Sequence, residues 1–209
     1  MRPPIPARRP ATATPNVPDP MPTPHAPGAP KGGAIPVLLS LGSNLEPERH
    51  LAAAVAELQA CFGPLRVSPA YRTPAVGFDG APFLNNAVAL ATAMPLPALE
   101  DWLHALEARH GRRHDVPRFS DRTLDVDVVF YGDQVLRDAA GRVRIPRPEL
   151  KHAFVLKPLA DIAPDFVDPL SGRTLAALWR EHPQHDEAFE QVSLPLSAPA
   201  PRPRAAPAR

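Results

Sequence analysis

The chain has 209 residues, 44% of them apolar, with 23 Lys and Arg against 22 Asp and Glu. Cys61 is the single cysteine, which excludes a disulfide framework or a cysteine zinc cluster, and no apolar run nears the roughly twenty residues of a membrane span. Twelve of the 31 prolines lie in residues 1–36 and five in 192–209, and each of these ends has a net charge of +3, which leaves the remainder acidic at −5.

The two ends are rich in Ala and Arg and poor in large apolar side chains, so they bury too little surface to offset ordering entropy. Residues 1–35 are expected to be a disordered Pro-rich tail, 36–191 a single domain, and 192–209 a disordered Pro/Ala/Arg tail. An acidic core gives no reason to expect nucleic acid. The leader has arginines but no apolar stretch behind them, which argues against secretion. It has a composition open to a transit peptide, but a bacterial extension on a cytoplasmic protein is the weightier reading.

In chain order, Val37–Leu41 is a short apolar run that ends at Gly42-Ser43-Asn44, a strand followed by a turn. Pro47 suits the first turn of a helix whose apolar face is Leu51, Ala54, Val55 and Leu58, stopping before Gly63-Pro64. Cys61 near its end is expected to be a buried structural thiol. Leu65–Tyr71 reads as a second strand, and 73–80 as a turn-rich loop. Phe83–Thr92 reads as a third strand, and Pro95 and Pro97 open a helix that runs to about His110. After the strand at 125–131, a short helix around 154–162 and a last one at 175–180 complete the chain. The order strand–helix–strand, strand–helix–strand predicts an α+β ferredoxin-like sandwich (βαββαβ) with short C-terminal helices.

The most informative segment is Arg122-Thr123-Leu124-Asp125-Val126-Asp127, running into Val128-Val129-Phe130-Tyr131. Its β-branched and aromatic residues predict a strand. Side chains two apart share a face, so Asp125 and Asp127 point the same way while Leu124, Val126 and Val128 pack behind them. By itself such a pair is commonly a solvated strand end. The run Arg109, Arg112, Arg113, His114, Arg118 and Arg122, broken by Gly111 and Pro117, changes the balance. A cationic loop joined to an anionic strand end suits a metal–polyphosphate complex: arginines hold phosphate oxygens, and carboxylates hold magnesium. No glycine-rich phosphate loop, dinucleotide fingerprint, nucleophile elbow or protein-kinase signature is present.

Taken together, Leu41-Gly42-Ser43-Asn44-Leu45, Tyr71-Arg72-Thr73-Pro74, Phe83-Leu84-Asn85, Glu107 with Gly111-Arg112, Arg122–Asp127 and Phe154-Val155-Leu156 before Pro158-Leu159 resemble the 6-hydroxymethyl-7,8-dihydropterin pyrophosphokinase family. The match covers about residues 36–168 and extends to Ile162-Ala163-Pro164. The resemblance implies a ferredoxin-like fold and transfer of the pyrophosphoryl group of ATP to the pterin hydroxymethyl oxygen, with release of AMP, in folate biosynthesis. It implies two magnesium ions on Asp125 and Asp127, and ATP contacts from Glu107 (near adenine), Arg112, Arg118, Arg122 and Arg147. Arg112, Arg122, Asp125 and Asp127 are the implied catalytic set. A pterin is implied between Phe83 and Phe154, its edge read by Asn85 and by Thr73, Pro74 and Val76. The implied partners are small molecules only, with no nucleic acid and no membrane, for a cytoplasmic protein expected to be a monomer.

The chain departs from the family pattern at the phosphate-side loop. Phe119-Ser120-Asp121 stands where Trp-Gly-Pro is usual, His114 replaces an arginine, and Arg147-Pro148 replaces His-Pro. His152 replaces a further arginine in a segment one residue short. Two other functions stay open on the residues alone. One is another magnesium-dependent nucleotidyl- or phosphotransferase, and the other is a binding module that has lost catalysis.

Overall fold

The computed structural model describes residues 33–112 and 121–195. The tails at 1–32 and 196–209, where disorder is expected from composition, and residues 113–120 lie outside the described residues. Five strands run along the main sheet in the order β5-β1-β4-β3-β8: β1 (Ile35–Ser43), β3 (Ala70–Thr73), β4 (Phe83–Thr92), β5 (Asp125–Tyr131) and β8 (Glu190–Val192). The two-residue β2 (Arg66–Val67) pairs with β4 beside β3, and every pairing in the sheet is antiparallel. With α1 (Pro47–Phe62) after β1 and α2 (Leu96–Arg109) after β4, the chain has the anticipated βαββαβ core. A small hairpin, β6 (Leu136–Arg137) with β7 (Val143–Ile145), follows β5 and leads through a 3-10 turn at Pro148–Lys151 into α3 (Ala153–Ile162) and α4 (Leu175–Arg180).

Three features correct the expected layout. The strand predicted at 65–71 is broken at Ser68-Pro69. There Ser68 N–H donates to Ala87 O at 3.0 Å, and Ser68 Oγ accepts from Ala87 N–H at 2.8 Å. The Ser68 hydroxyl stands in for a main-chain carbonyl as acceptor at the break, while Pro69 has no N–H to donate. The second is the β6/β7 hairpin, which short and mixed segments did not announce. The third is β8, which begins inside the domain assigned by composition and takes in Val192 from the segment assigned to the tail.

The sheet is apolar on both faces. Leu39, Leu41, Leu84, Val88, Val126 and Val128 pack under Leu51, Val55 and Leu58 of α1 and Leu99, Leu103 and Leu106 of α2. Leu38, Ala87, Ala89, Val129 and Phe130 pack under Val155, Leu156 and Leu159 of α3 and Leu175 of α4. A register shift between Leu38 and Leu39 opposite β5 leaves Val129 unpaired in the ladder. That bulge lets Phe130 turn to the α3 side and Tyr131 to the α1/α2 side. Cys61 is only partly buried, against the expectation, although burial still pushes its thiol up. Because α3 covers only part of its face, the ends of β1, β4 and β5 nearest Gly42, Asn85 and Asp125 are left open to a cavity.

Candidate active site

The cavity has a volume of about 650 Å³ and lies on the α3 side of the sheet. Its floor follows from strand parity: Gly42 pairs with Asn85 on one side and with Asp125 on the other, and Ser40 pairs with Asp127. All five of these residues line the cavity, so Asp125 and Asp127 share a face as their spacing predicted. Thr73, Pro74, Val76, Phe83 and Phe154 stand around the same space, which brings the residues that the resemblance assigns to a pterin together with the two carboxylates. Arg112, Arg122 and Arg147 complete the wall. Arg118, His114 and Phe119-Ser120 lie outside the described residues.

The floor glycine has a mechanical reason. A Cβ on Gly42 would come 2.9 Å from Asn85 Oδ1, closer than real Cβ atoms come to such a neighbour. Asn85 is 6% exposed, and its Nδ2–H donates to Thr73 Oγ1 at 2.8 Å, so the amide is held with its oxygen over Gly42. With Asn85 in the pterin-edge role that the resemblance implies, Gly42→Ala is expected to rotate Asn85 off Thr73 and weaken pterin binding roughly tenfold, with little change for ATP. Equilibrium titration of each ligand checks this; equal loss for both would mean the change is not local to Asn85.

The charged half is built on α2 and β5. Gly111, at φ +79°, ends α2, and Arg112 N–H caps Glu107 O at 3.0 Å, which returns the Arg112 side chain toward β5. Its guanidinium lies 2.5 Å from Asp125 and also contacts Glu107. Arg122 pairs with Asp125, and Arg147 pairs with Asp127. Both carboxylates therefore face guanidinium groups. Asp127 is pushed above the usual carboxylate range by burial and by repulsion from Asp125, against which Arg147 pulls down. Arg122 is placed by Asn44, whose Oδ1 accepts from Arg122 N–H at 2.7 Å. Asn44 Nδ2–H donates to Asp121 at 2.6 Å and to Ala81 O at 3.2 Å.

Glu107, expected beside adenine, is 0% exposed and lies behind the cavity wall. Its Oε1 accepts from Val126 N–H at 2.7 Å and from Arg112. Burial raises its pKa to about 7, opposed by the Val126 N–H and by Arg112. A raised carboxyl keeps its proton in the folded chain after the unfolded chain has lost it, so stability falls as pH rises from 4.5 to about 7. Glu107→Gln removes that slope. Its unfolding free energy relative to the parent is expected to rise by roughly 1–3 kcal/mol across the window. Denaturant titration at both ends of that pH range checks this, and a constant difference would refute it.

The donor set fits magnesium, which takes hard oxygens from one or two carboxylates and completes its shell with water and phosphate. Asp125 and Asp127 are such a pair. Among the described residues no cluster of three or more acidic, His or Cys groups offers a dedicated protein cage. The arrangement thus suits a cation that arrives with a phosphate. Sequence reasoning overlooked Ser40, Phe78, Glu149 and Lys151, which also line the cavity. Ser40 was accessible through parity, two residues before Gly42; the others depend on loops whose path no periodicity gives. His152 stacks on Phe154 with ring centroids 5.1 Å apart and planes 10° apart, at the cavity edge.

Comparisons with known proteins point to one family. The sequence model of the family described as 7,8-dihydro-6-hydroxymethylpterin-pyrophosphokinase (HPPK) matches residues 38–164. A 2-amino-4-hydroxy-6-hydroxymethyldihydropteridine pyrophosphokinase of Synechocystis sp. is 40% identical over 145 residues, 68% of this chain and 73% of that protein. One from Pseudomonas aeruginosa is 38% identical over 147 residues, 68% of this chain and 88% of that protein. The crystal structure of Plasmodium falciparum HPPK-DHPS with pteroate superposes with a TM-score of 0.54 at 12% identity, over 76% of this chain and 45% of that one, a likeness of fold. The chain belongs to the 7,8-dihydro-6-hydroxymethylpterin-pyrophosphokinase family and is a pyrophosphokinase of folate biosynthesis.

Proposed function

We propose that this chain transfers the pyrophosphoryl group of ATP to the hydroxymethyl oxygen of 6-hydroxymethyl-7,8-dihydropterin, giving AMP and the pterin diphosphate. The observation that carries this reading is that Asp125 and Asp127 open onto the same cavity as Phe83, Asn85 and Phe154. Phe83 and Phe154 supply flat apolar faces for a pterin ring, and Asn85, with Thr73, Pro74 and Val76 beside it, supplies polar and steric readout of the ring edge. Arg112, Arg122 and Arg147 take phosphate oxygens, with Arg118 as a further contact. Glu107 acts from behind, by holding Arg112 and the β5 backbone. Magnesium on Asp125 and Asp127, read here as two ions, would neutralise the triphosphate charge.

In the transfer a bond forms between the hydroxymethyl oxygen and the β-phosphorus while the bond from that phosphorus to the α-bridging oxygen breaks. AMP carries away the electron pair of that bond, and the hydroxymethyl proton is released to water. The protein's part is positioning and charge neutralisation, so no covalent enzyme intermediate is required. The partners are small molecules, and the chain is read as a cytoplasmic monomer. Among the described residues no helix is long and apolar enough to cross a membrane.

The test is incubation with ATP and the pterin, with and without magnesium, resolving the nucleotide product. Magnesium-dependent AMP in step with pterin diphosphate is expected. ADP or free phosphate as the product would overturn the reading in favour of a different phosphotransferase, and no turnover would favour a binding module.

A further inference from the structure

We propose that Arg147 is a built-in competitor for the metal position on Asp127, a latch that a divalent cation and a nucleotide must displace together. The inference rests on the metal reading above and goes beyond it. The Arg147 guanidinium pairs with Asp127, and its Nε lies 3.7 Å from Glu149. Its main chain is fixed beside β5: Arg147 N–H donates to Val129 O at 3.1 Å, and Arg147 O accepts from Leu150 N–H at 3.0 Å. The side chain is therefore delivered to the carboxylate by a rigid tether.

The hold is nevertheless exchangeable. The buried Arg147 Nε–H has no hydrogen-bond acceptor among the described residues, so the pair lacks the two-pronged fork of the strongest Arg–carboxylate contacts. Asp127 and Arg147 side chains are 32% and 37% exposed, which gives water and ions access to both. The three cavity-lining carboxylates, Asp125, Asp127 and Glu149, are outnumbered by Arg112, Arg122, Arg147 and Lys151, so the wall offers a cation no net negative charge. A cation entering alone must release a guanidinium into an otherwise cationic wall. A cation entering with a polyphosphate gives that guanidinium new oxygens to hold. Cation and nucleotide affinities are then linked, each raising the other by the same factor.

The test uses the full chain and manganese as the probe, with free manganese read by electron paramagnetic resonance, with and without a non-hydrolysable ATP analogue. Without nucleotide, Arg147→Gln and Arg147→Met (alike in length, shorter than arginine, uncharged) are expected to bind manganese roughly three- to tenfold tighter than the parent. The gain on adding the analogue should shrink by a similar factor in both variants. Asp127→Asn should bind at least about tenfold more weakly. Unchanged manganese affinity in both Arg147 variants, with Asp127→Asn weakened, would overturn the latch and leave the metal site standing. Unchanged affinity in Asp127→Asn would overturn the metal site itself. If one Arg147 variant does not melt cooperatively, the other carries the comparison, since the two replace the stem with different polarity.

Discussion

Asp127→Ala is expected to lower turnover by about 10³ while the melting temperature stays close to the parent. Asp127 is a wall residue: Val126 and Val128 beside it and Val129, Phe130 and Tyr131 beyond make the core contacts of this strand, and the Asp127 side chain is 32% exposed. Removing it takes no apolar surface out of the interior. What it removes is half of the carboxylate pair that would gather cations about a triphosphate, an effect worth several kcal/mol of barrier, and ~4 kcal/mol corresponds to about three powers of ten. The loss should fall on turnover more than on pterin binding, because Phe83, Asn85 and Phe154 are untouched. Initial rates of AMP formation together with a thermal melt decide it. Turnover within a few-fold of the parent would remove Asp127 from the catalytic set.

Asn44→Ala is expected to do the opposite, harming stability and activity at once. Asn44 is 6% exposed, and its amide joins three segments, the turn after β1, Ala81 before β4, and Asp121-Arg122 before β5. Truncation removes the acceptor of the Arg122 N–H and both amide donors, while the exposed Asp121 carboxylate turns to water. The expected cost is about 1–3 kcal/mol, out of a net stability on the order of 5–15 kcal/mol. It also frees the segment that carries Arg122 to Asp125, so turnover should fall with it. Asn44→Asp separates the roles: it keeps an acceptor for Arg122 N–H but sets a second carboxylate against Asp121. Urea unfolding with parallel rate measurements checks both. Full stability in the alanine variant would mean that the Asp121-Arg122 segment is held by other contacts.

Much of the site was legible because a strand's alternation is a hard constraint. Asp125 and Asp127 had to share a face, and Gly42 and Asn85 belonged to short motifs whose placement β1 and β4 then fixed. The same parity explains why Leu124, Val126 and Val128 turn to the helices. What could not be read was set by tertiary routing. Arg147 reaches Asp127 only because the β6/β7 hairpin folds the chain back, and nothing in the residues between announces that pairing. Glu107 carries no sign in its own helix that Val126 and Arg112 will claim its oxygens; only the crossing of α2 behind β5 does that. The short β8 gave no periodicity long enough to separate it from a polar coil.

That last strand has an effect beyond its three residues. Ala70, Tyr71 and Arg72 would otherwise present a bare row of peptide groups along one margin of the sheet, and β8 occupies that margin through Val192, Gln191 and Glu190. Glu190 also anchors Arg72 across the seam. An uncapped margin is a template on which another copy can lay its own backbone. With β8 paired, the outer margin is a strand of only three residues, and shortening the chain to residue 189 is expected to bare Ala70–Arg72 and increase concentration-dependent association, read by light scattering.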